Sequence, residues 1–151
     1  MKTLFAYDGS KGADAAIAAA GDLVGRNGSE AVVLSVWEPL TVQALRAERF
    51  GGPLAVPLSA ADLDKPSAEH ARLVAEHGAG VAAVNGFHAR PLWTADKRAI
   101  ADTIVERADE LDADVIVLGA RGLAGIAAFL GSVSNHVLQH AHRPVLVVPP
   151  A

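Results

Sequence analysis

The chain contains no cysteine, so a disulfide scaffold, a thiolate metal site and thiol chemistry are excluded from the start. Aromatic residues make up only 5% of its 151 positions, and Lys plus Arg number 13 against 17 Asp plus Glu, a formal net charge of −4. With no basic excess there is no stripe to displace counterions from nucleic-acid phosphates, nor a polybasic patch for an anionic membrane. No apolar run approaches the length needed to cross a bilayer, and no leader-like segment precedes Met1-Lys2-Thr3-Leu4-Phe5, so the expected compartment is the cytoplasm. Neither G-x-x-x-x-G-K-[ST] nor G-x-G-x-x-G after a strand occurs, which removes the P-loop and the dinucleotide fingerprint.

What is present is an ordinary globular composition, 51% hydrophobic and 20% charged, with an alanine excess that favours helix. A chain of this length fits one domain, here residues 1–151, and buries roughly 70% of the surface of its unfolded form. Apolar runs alternate with helical periodicities. Leu4 to Tyr7, Ala31 to Val36, Phe87 to Thr94, Val115 to Leu118 and Val145 to Val148 read as strands. Between them, Ala13 to Val24, Asp62 to His77 with Pro66 in its first turn, Arg98 to Leu111 and a segment from Ser132 to about His140 read as helices. Continuous Val/Ile/Leu strands separated by helices imply a doubly wound α/β domain, a parallel sheet covered on both faces with right-handed crossovers. Pro91 makes the third strand an edge strand, because an interior strand would lose a ladder hydrogen bond there. Trp37 to Leu58 is long for a connection, although Val42 to Arg49 can form a helical turn or two, and such segments are commonly lids or contact surfaces.

Ligands of open parallel sheets sit beyond the C-terminal strand ends where strand order reverses. Three loops with suitable chemistry lie there: Asp8-Gly9-Ser10-Lys11-Gly12, Val36-Trp37-Glu38 and Gly119 to Ser132. Gly119 and Gly122 let backbone come close to an anion, Gly131-Ser132 opens a helix whose first amides at Ser132 and Val133 suit phosphate, and Arg121 adds a charge. Asp8 offers an acceptor to a nucleobase, so these residues suggest an adenine nucleotide site. Each also has a plain structural reading as a turn or cap, and Ser10 is an expected N-cap in either case. Asp109, Glu110, Asp112 and Asp114 read as a solvated face or cap, and His136 and His140, four apart, as exposed or dipole-favoured histidines, since no third ligand stands at a set spacing. No catalytic set and no metal site are expected.

The order of Tyr7-Asp8-Gly9-Ser10, Val36-Trp37-Glu38-Pro39, Asp114-Val115-Ile116-Val117-Leu118-Gly119-Ala120-Arg121-Gly122, Gly131-Ser132-Val133-Ser134 and Arg143-Pro144-Val145 resembles the universal stress protein family over nearly the whole chain. The resemblance implies a Rossmann-like, adenine nucleotide alpha hydrolase-like sheet of order 3-2-1-4-5 and a homodimer paired through the last strand. In the ATP-binding branch the motif is G-x2-G-x9-G-[ST], which maps onto Gly119, Gly122, Gly131 and Ser132. Asp8 and the Val36 backbone then lie beside adenine, and Val133 and Ser134 extend the phosphate contacts. Here Leu123 to Leu130 number eight where the pattern has nine. The resemblance therefore implies a regulatory domain for ATP, or ADP or AMP, with Mg where a polyphosphate binds, slow or absent hydrolysis and a protein partner not identified by sequence. The alternatives are a nucleotide-free homodimeric interaction module of the same fold and an ATP-hydrolysing enzyme.

Overall fold

The computed structural model describes residues 1–24, 27–52, 60–120 and 130–150. Five parallel strands, β1 (Lys2–Ala6), β2 (Glu30–Trp37), β3 (His88–Ala95), β4 (Val115–Gly119) and β5 (Val145–Val148), form one sheet in the order β3-β2-β1-β4-β5. Five helices, α1 (Lys11–Leu23), α2 (Leu40–Arg49), α3 (Ala60–Val84), α4 (Ile100–Glu110) and α5 (Ser132–His140), accompany them. This is the expected doubly wound, Rossmann-like α/β architecture. None of the helices is long and apolar enough to cross a membrane among the described residues.

The central strands are apolar on both sides because both faces are covered. Phe5, Val33 and Val117 face one core cluster with Ala13, Ala16, Ile17 and Ala20 of α1 and Ala79 and Ala82 of α3, while Leu4, Val32, Leu34 and Ile116 face the other with Ile104, Val105 and Ala108 of α4 and Val137 of α5. The i, i+3, i+4, i+7 stripe of α1 is thus alanine and isoleucine, small enough to let the helix lie close to the strands. Phe5 and Phe87 meet edge to face at 5.2 Å in the first cluster. β3 is an edge strand, as Pro91 required, and is paired on one side only, through Glu30↔His88 to Trp37↔Ala95. β5 closes the opposite edge, with all four residues only partly buried.

Two helices depart from expectation. α3 runs from Ala60 to Val84, past the expected Asp62 to His77 at both ends, so Pro66 is an interior proline and not a first-turn one. An interior proline costs about 3 kcal/mol, and the burial of Ala71, Ala75, Gly78, Ala79 and Ala82 against the sheet holds the helix through it. α2 is a full helix of 10 residues where a turn or two was expected, and none of its residues is buried. Without a buried apolar stripe its periodicity left little trace in the sequence.

Candidate functional site

The C-terminal ends of β1, β2 and β4 converge as the topology requires. β1 lies between β2 and β4, pairing Ala6 with Leu34 on one side and Phe5 with Val117 on the other, so the chain departs from β1 and β4 in opposite directions and leaves a crevice between their ends.

Tyr7 carries the β1–β2 ladder one residue further, its N–H donating to the Leu34 carbonyl at 2.8 Å. The chain then turns away at Asp8-Gly9-Ser10. Gly9 has φ +81°, a left-handed value that glycine adopts without a Cβ penalty, and Asp8 Oδ1 accepts the Ser10 N–H at 3.0 Å. Ser10 caps α1 as expected, its Oγ accepting from Ala13 N at 3.1 Å. Asp8 itself is exposed.

This turn has a consequence for Val36. In a parallel strand the N–H and C=O of one residue point the same way, and residues two apart share that direction. Since the Leu34 carbonyl points at β1, the Val36 main-chain groups point there too, beyond the place where β1 has turned off. Trp37, of opposite parity, bonds toward β3, its carbonyl accepting Asp96 N at 2.8 Å. Among the described residues, Val36 therefore presents an unpaired stretch of strand edge beside Asp8.

On the other side of the crevice, α5 begins where the loop after β4 returns. Gly131 N donates to the Ala120 carbonyl at 2.7 Å, and the Ser134 hydroxyl reaches the carbonyls of Gly119 at 2.9 Å and Ala120 at 3.1 Å, so both ends of the loop are fastened to each other. Gly131 is the N-cap and has no side chain to bond the first turn. The first-turn amides of a helix have no acceptor within it, so Ser132, Val133 and Ser134 carry N–H groups for an outside acceptor. Ser132 is exposed and Val133 half-buried, whereas Ser134 is 3% exposed with its hydroxyl turned inward, leaving only its N–H to a ligand. Arg121, Gly122 and Phe129 lie outside the described residues.

Several charged groups are more engaged than the sequence indicated. Asp109, expected on a solvated face, accepts from His142 Nδ1 at 2.8 Å and Arg143 Nε at 3.2 Å, and those two neighbours hold its carboxyl below the usual carboxylate range. Asp112, with φ 51°, binds Arg143 at 2.8 Å, Asp114 accepts the Lys2 N–H at 2.6 Å, and Glu110 pairs with Arg107 at 2.5 Å. His136 bridges from α5 to Asp102 of α4 at 2.8 Å and stacks on His140 with centroids 4.1 Å apart, so it is not simply a solvent-facing residue. No group of three or more His, Asp or Glu is arranged to hold a metal among the described residues. Tyr7 is buried and donates to Asp14 at 2.5 Å, and burial first, then that bond, raises its pKa well above the ordinary phenol value.

A groove of about 510 Å³ lined by Lys2, Glu30, Val32, Phe87, His88 and Arg90 lies at the opposite, N-terminal ends of β1 to β3. Its distance from the strand ends that carry the glycine turns keeps it separate from the crevice.

Sequence reasoning missed the ion network at the ends of β2 and β3. Arg46 of α2 pairs with Glu38, which follows β2, and its Nη2 lies 3.8 Å from Oδ2 of Asp96, which follows β3 and is fully buried. The only trace in the sequence was the spacing Asp96-Lys97-Arg98, an aspartate able to accept its own chain two residues on, as it does at 2.7 Å.

A doubly wound parallel sheet with a glycine turn after β1, a β2 edge unpaired past the end of β1 among the described residues and a helix N-terminus without a side-chain cap after β4 defines an open α/β domain with a crevice at its C-terminal strand ends. The sequence matches the model of the universal stress protein family over residues 1–149, and the chain belongs to that family. It is 30% identical over 146 residues to the universal stress protein in the QAH/OAS sulfhydrylase 3′ region of Thermus aquaticus, covering 96% of each chain. A shorter match, 52% identical over 46 residues, reaches universal stress protein Sll1388 of Synechocystis and spans 30% of that relative's length. Among solved structures, hypothetical protein MJ0577 superposes with a TM-score of 0.77 at 22% identity, covering 99% of this chain and 96% of that one. The universal stress protein of Archaeoglobus fulgidus in complex with dAMP gives 0.63 at 20% identity, covering 97% and 94%. An Arabidopsis thaliana family protein with AMP bound gives 0.64 at 17% identity, covering 100% and 92%. These structural likenesses establish the same fold.

Proposed function

We propose that this chain is a cytoplasmic regulatory domain, one domain over residues 1–151, that binds ATP or a related adenine nucleotide in the crevice between β1 and β4 and turns it over slowly or not at all. The observation that carries this reading is the N-terminus of α5: a glycine N-cap, no capping side chain, and the amides of Ser132, Val133 and Ser134 at the end of the strand pair where an α/β sheet takes its ligand. Val36 supports it with main-chain groups left free past the end of β1, and Asp8 with an exposed carboxylate beside them. Gly119, Gly122 and Gly131 would let the phosphates approach the backbone, Arg121 would neutralise charge, and Mg would accompany a polyphosphate. The binding of dAMP and AMP by the Archaeoglobus and Arabidopsis proteins makes an adenine ring the first ligand to test.

Hydrolysis needs a base or a carboxylate positioned at the γ-phosphate. In this reading Asp8 stands at the base end, so occupancy, not turnover, is the output. The open edge of β5 would pair with a second copy, and the nucleotide-occupied surface would be read by a protein partner. Titration calorimetry with MgATP, AMP and cyclic AMP tests binding, and a product assay on the same samples tests turnover. Saturable heat without product is the expected result. The short neck between Ala120 and Gly131, together with a motif one residue short, favours the second reading, a nucleotide-free homodimeric module. Absence of heat with all three nucleotides, together with a dimer mass in light scattering, would support that one.

A further inference from the structure

Helix α2 is attached to the rest of the fold by polar contacts. None of its residues is buried, and Leu45 and Phe50 at its far end are 55% and 87% exposed, so apolar burial contributes little to its position. Three attachments remain among the described residues. The Leu40 N–H at its start donates to Asp64 Oδ1 at 2.9 Å, Gln43 Nε2 donates to the Glu38 carbonyl at 3.0 Å, and Arg46 ion-pairs with Glu38 while donating to the Arg98 carbonyl at 3.2 Å.

Asp96 makes the third attachment consequential. Its side chain is fully buried, and while Oδ1 accepts the Arg98 N–H at 2.7 Å, Oδ2 has no hydrogen-bond partner among the described residues. A buried carboxylate needs a nearby cation, and Arg46 Nη2 stands 3.8 Å from that oxygen. One guanidinium therefore serves two carboxylates from the ends of two strands, and it belongs to a helix otherwise held, among the described residues, by only the two single hydrogen bonds of Leu40 and Gln43.

We propose that α2 is an electrostatically latched cover over the C-terminal ends of β2 and β3, closed by Arg46 on Glu38 and Asp96, that lifts as a unit when the latch is screened or removed while the sheet and α3 stay folded. Glu38 is two residues beyond Val36, so the latch is anchored next in the chain to the free strand edge of β2, and the movement does not depend on a ligand there. Arg46 is 44% exposed on its side chain and Glu38 21%, so salt reaches the pair. The screening length falls from about 8 Å at physiological salt to about 3 Å at 1 M.

Millisecond hydrogen–deuterium exchange read by mass spectrometry, on the whole chain without nucleotide, tests the latch. In the native chain, peptides covering residues 40–49 are expected to exchange at least fivefold faster at 1 M than at 0.05 M NaCl, with peptides from α4 and from residues 71–84 of α3 unchanged. Arg46→Gln is expected to give the fast exchange already at low salt, and Arg46→Lys to recover part of the protection. Because Arg46→Gln strands a buried carboxylate and can weaken the whole fold, Arg46→Gln with Asp96→Asn is measured beside it. In that pair α2 stays fast while the sheet regains native protection. The proposal is overturned if α2 in the double variant is protected as in the native chain, or if salt accelerates α2, α3 and α4 by one common factor. As no nucleotide is present, these outcomes are independent of whether the crevice binds one.

Discussion

The Ser134 hydroxyl lies 2.9 Å from the Gly119 carbonyl, a helix side chain fastened to the last residue of a strand. Through it, and through the Ala120 carbonyl at 3.1 Å, the N-terminus of α5 is held against the end of β4. Ser134→Ala leaves those carbonyls short of a donor in a site that is 3% exposed. The expected cost is about 1 to 3 kcal/mol, seen as a lower urea midpoint at unchanged slope. An unchanged midpoint would mean that water replaces the hydroxyl.

Gly78 and Gly80 lie on one helix and predict opposite signs. A Cβ at Gly78 would come within 2.6 Å of the Tyr7 ring and 2.7 Å of Val33 Cγ1, while at Gly80 it would meet nothing within 4 Å. Tyr7 cannot swing aside freely, since its hydroxyl is bonded to Asp14 at 2.5 Å. Gly78→Ala is therefore expected to destabilise by about 1 to 3 kcal/mol through overpacking. Gly80→Ala in the same helix is expected to stabilise by about 0.5 to 1 kcal/mol, because alanine restricts the unfolded chain more. Thermal unfolding of the two variants beside the native chain checks both, and equal shifts would refute the packing argument.

How much of this could be read from the sequence follows from which residues are buried. The β1, β2 and β4 strands were legible because Leu4, Phe5, Val32, Val33, Ile116 and Val117 are covered on both faces and must all be apolar. Pro91 marked the β3 edge, and Ser10 marked the start of α1. The order of strands came from the family resemblance, since apolar runs carry no label of their neighbours. α2 was nearly invisible for the reason that now makes it interesting: with no buried residue it has no stripe to read. The Arg46–Asp96 contact joins residues fifty positions apart, and a charge pair of that kind has no local pattern. Gly78 stood just past the expected end of that helix at His77, and nothing in the sequence marked the Tyr7 ring that packs on it.

Tyr7 makes the fold sensitive to alkali. Its phenol is buried and donates to Asp14, and both effects favour the protonated form in the folded state. A group whose folded pKa exceeds its unfolded value, about 10 for tyrosine, contributes its full stability below that value and loses it as pH rises through and beyond it. The thermal unfolding midpoint of the native chain is thus expected to decline as pH rises above about 10. Tyr7→Phe starts from a lower midpoint at pH 7, having lost the hydrogen bond, and should show a flatter alkaline slope. Parallel slopes in the two proteins would show that another group governs the alkaline limb.

Asp8 separates a structural role from the proposed ligand role within a single carboxylate. Oδ1 accepts the Ser10 N–H at 3.0 Å and shapes the turn out of β1, while the residue as a whole is exposed beside the free edge of Val36. Asp8→Asn keeps an oxygen to accept the Ser10 amide, so the turn and the melting temperature are expected to stay as they are. The charge is lost, and the second acceptor becomes an amide donor that opposes the exocyclic amine of adenine. A hydrogen bond to a charged group contributes about 1.5 to 3 kcal/mol, so affinity for an adenine nucleotide should drop at least about tenfold. Inosine nucleotides, which carry an acceptor at that position, should lose less. Calorimetry with the AMP and IMP pair on both proteins makes the comparison. An equal loss for the two bases would move adenine away from Asp8 and leave the phosphate half of the site, at the α5 amides, as the part still standing.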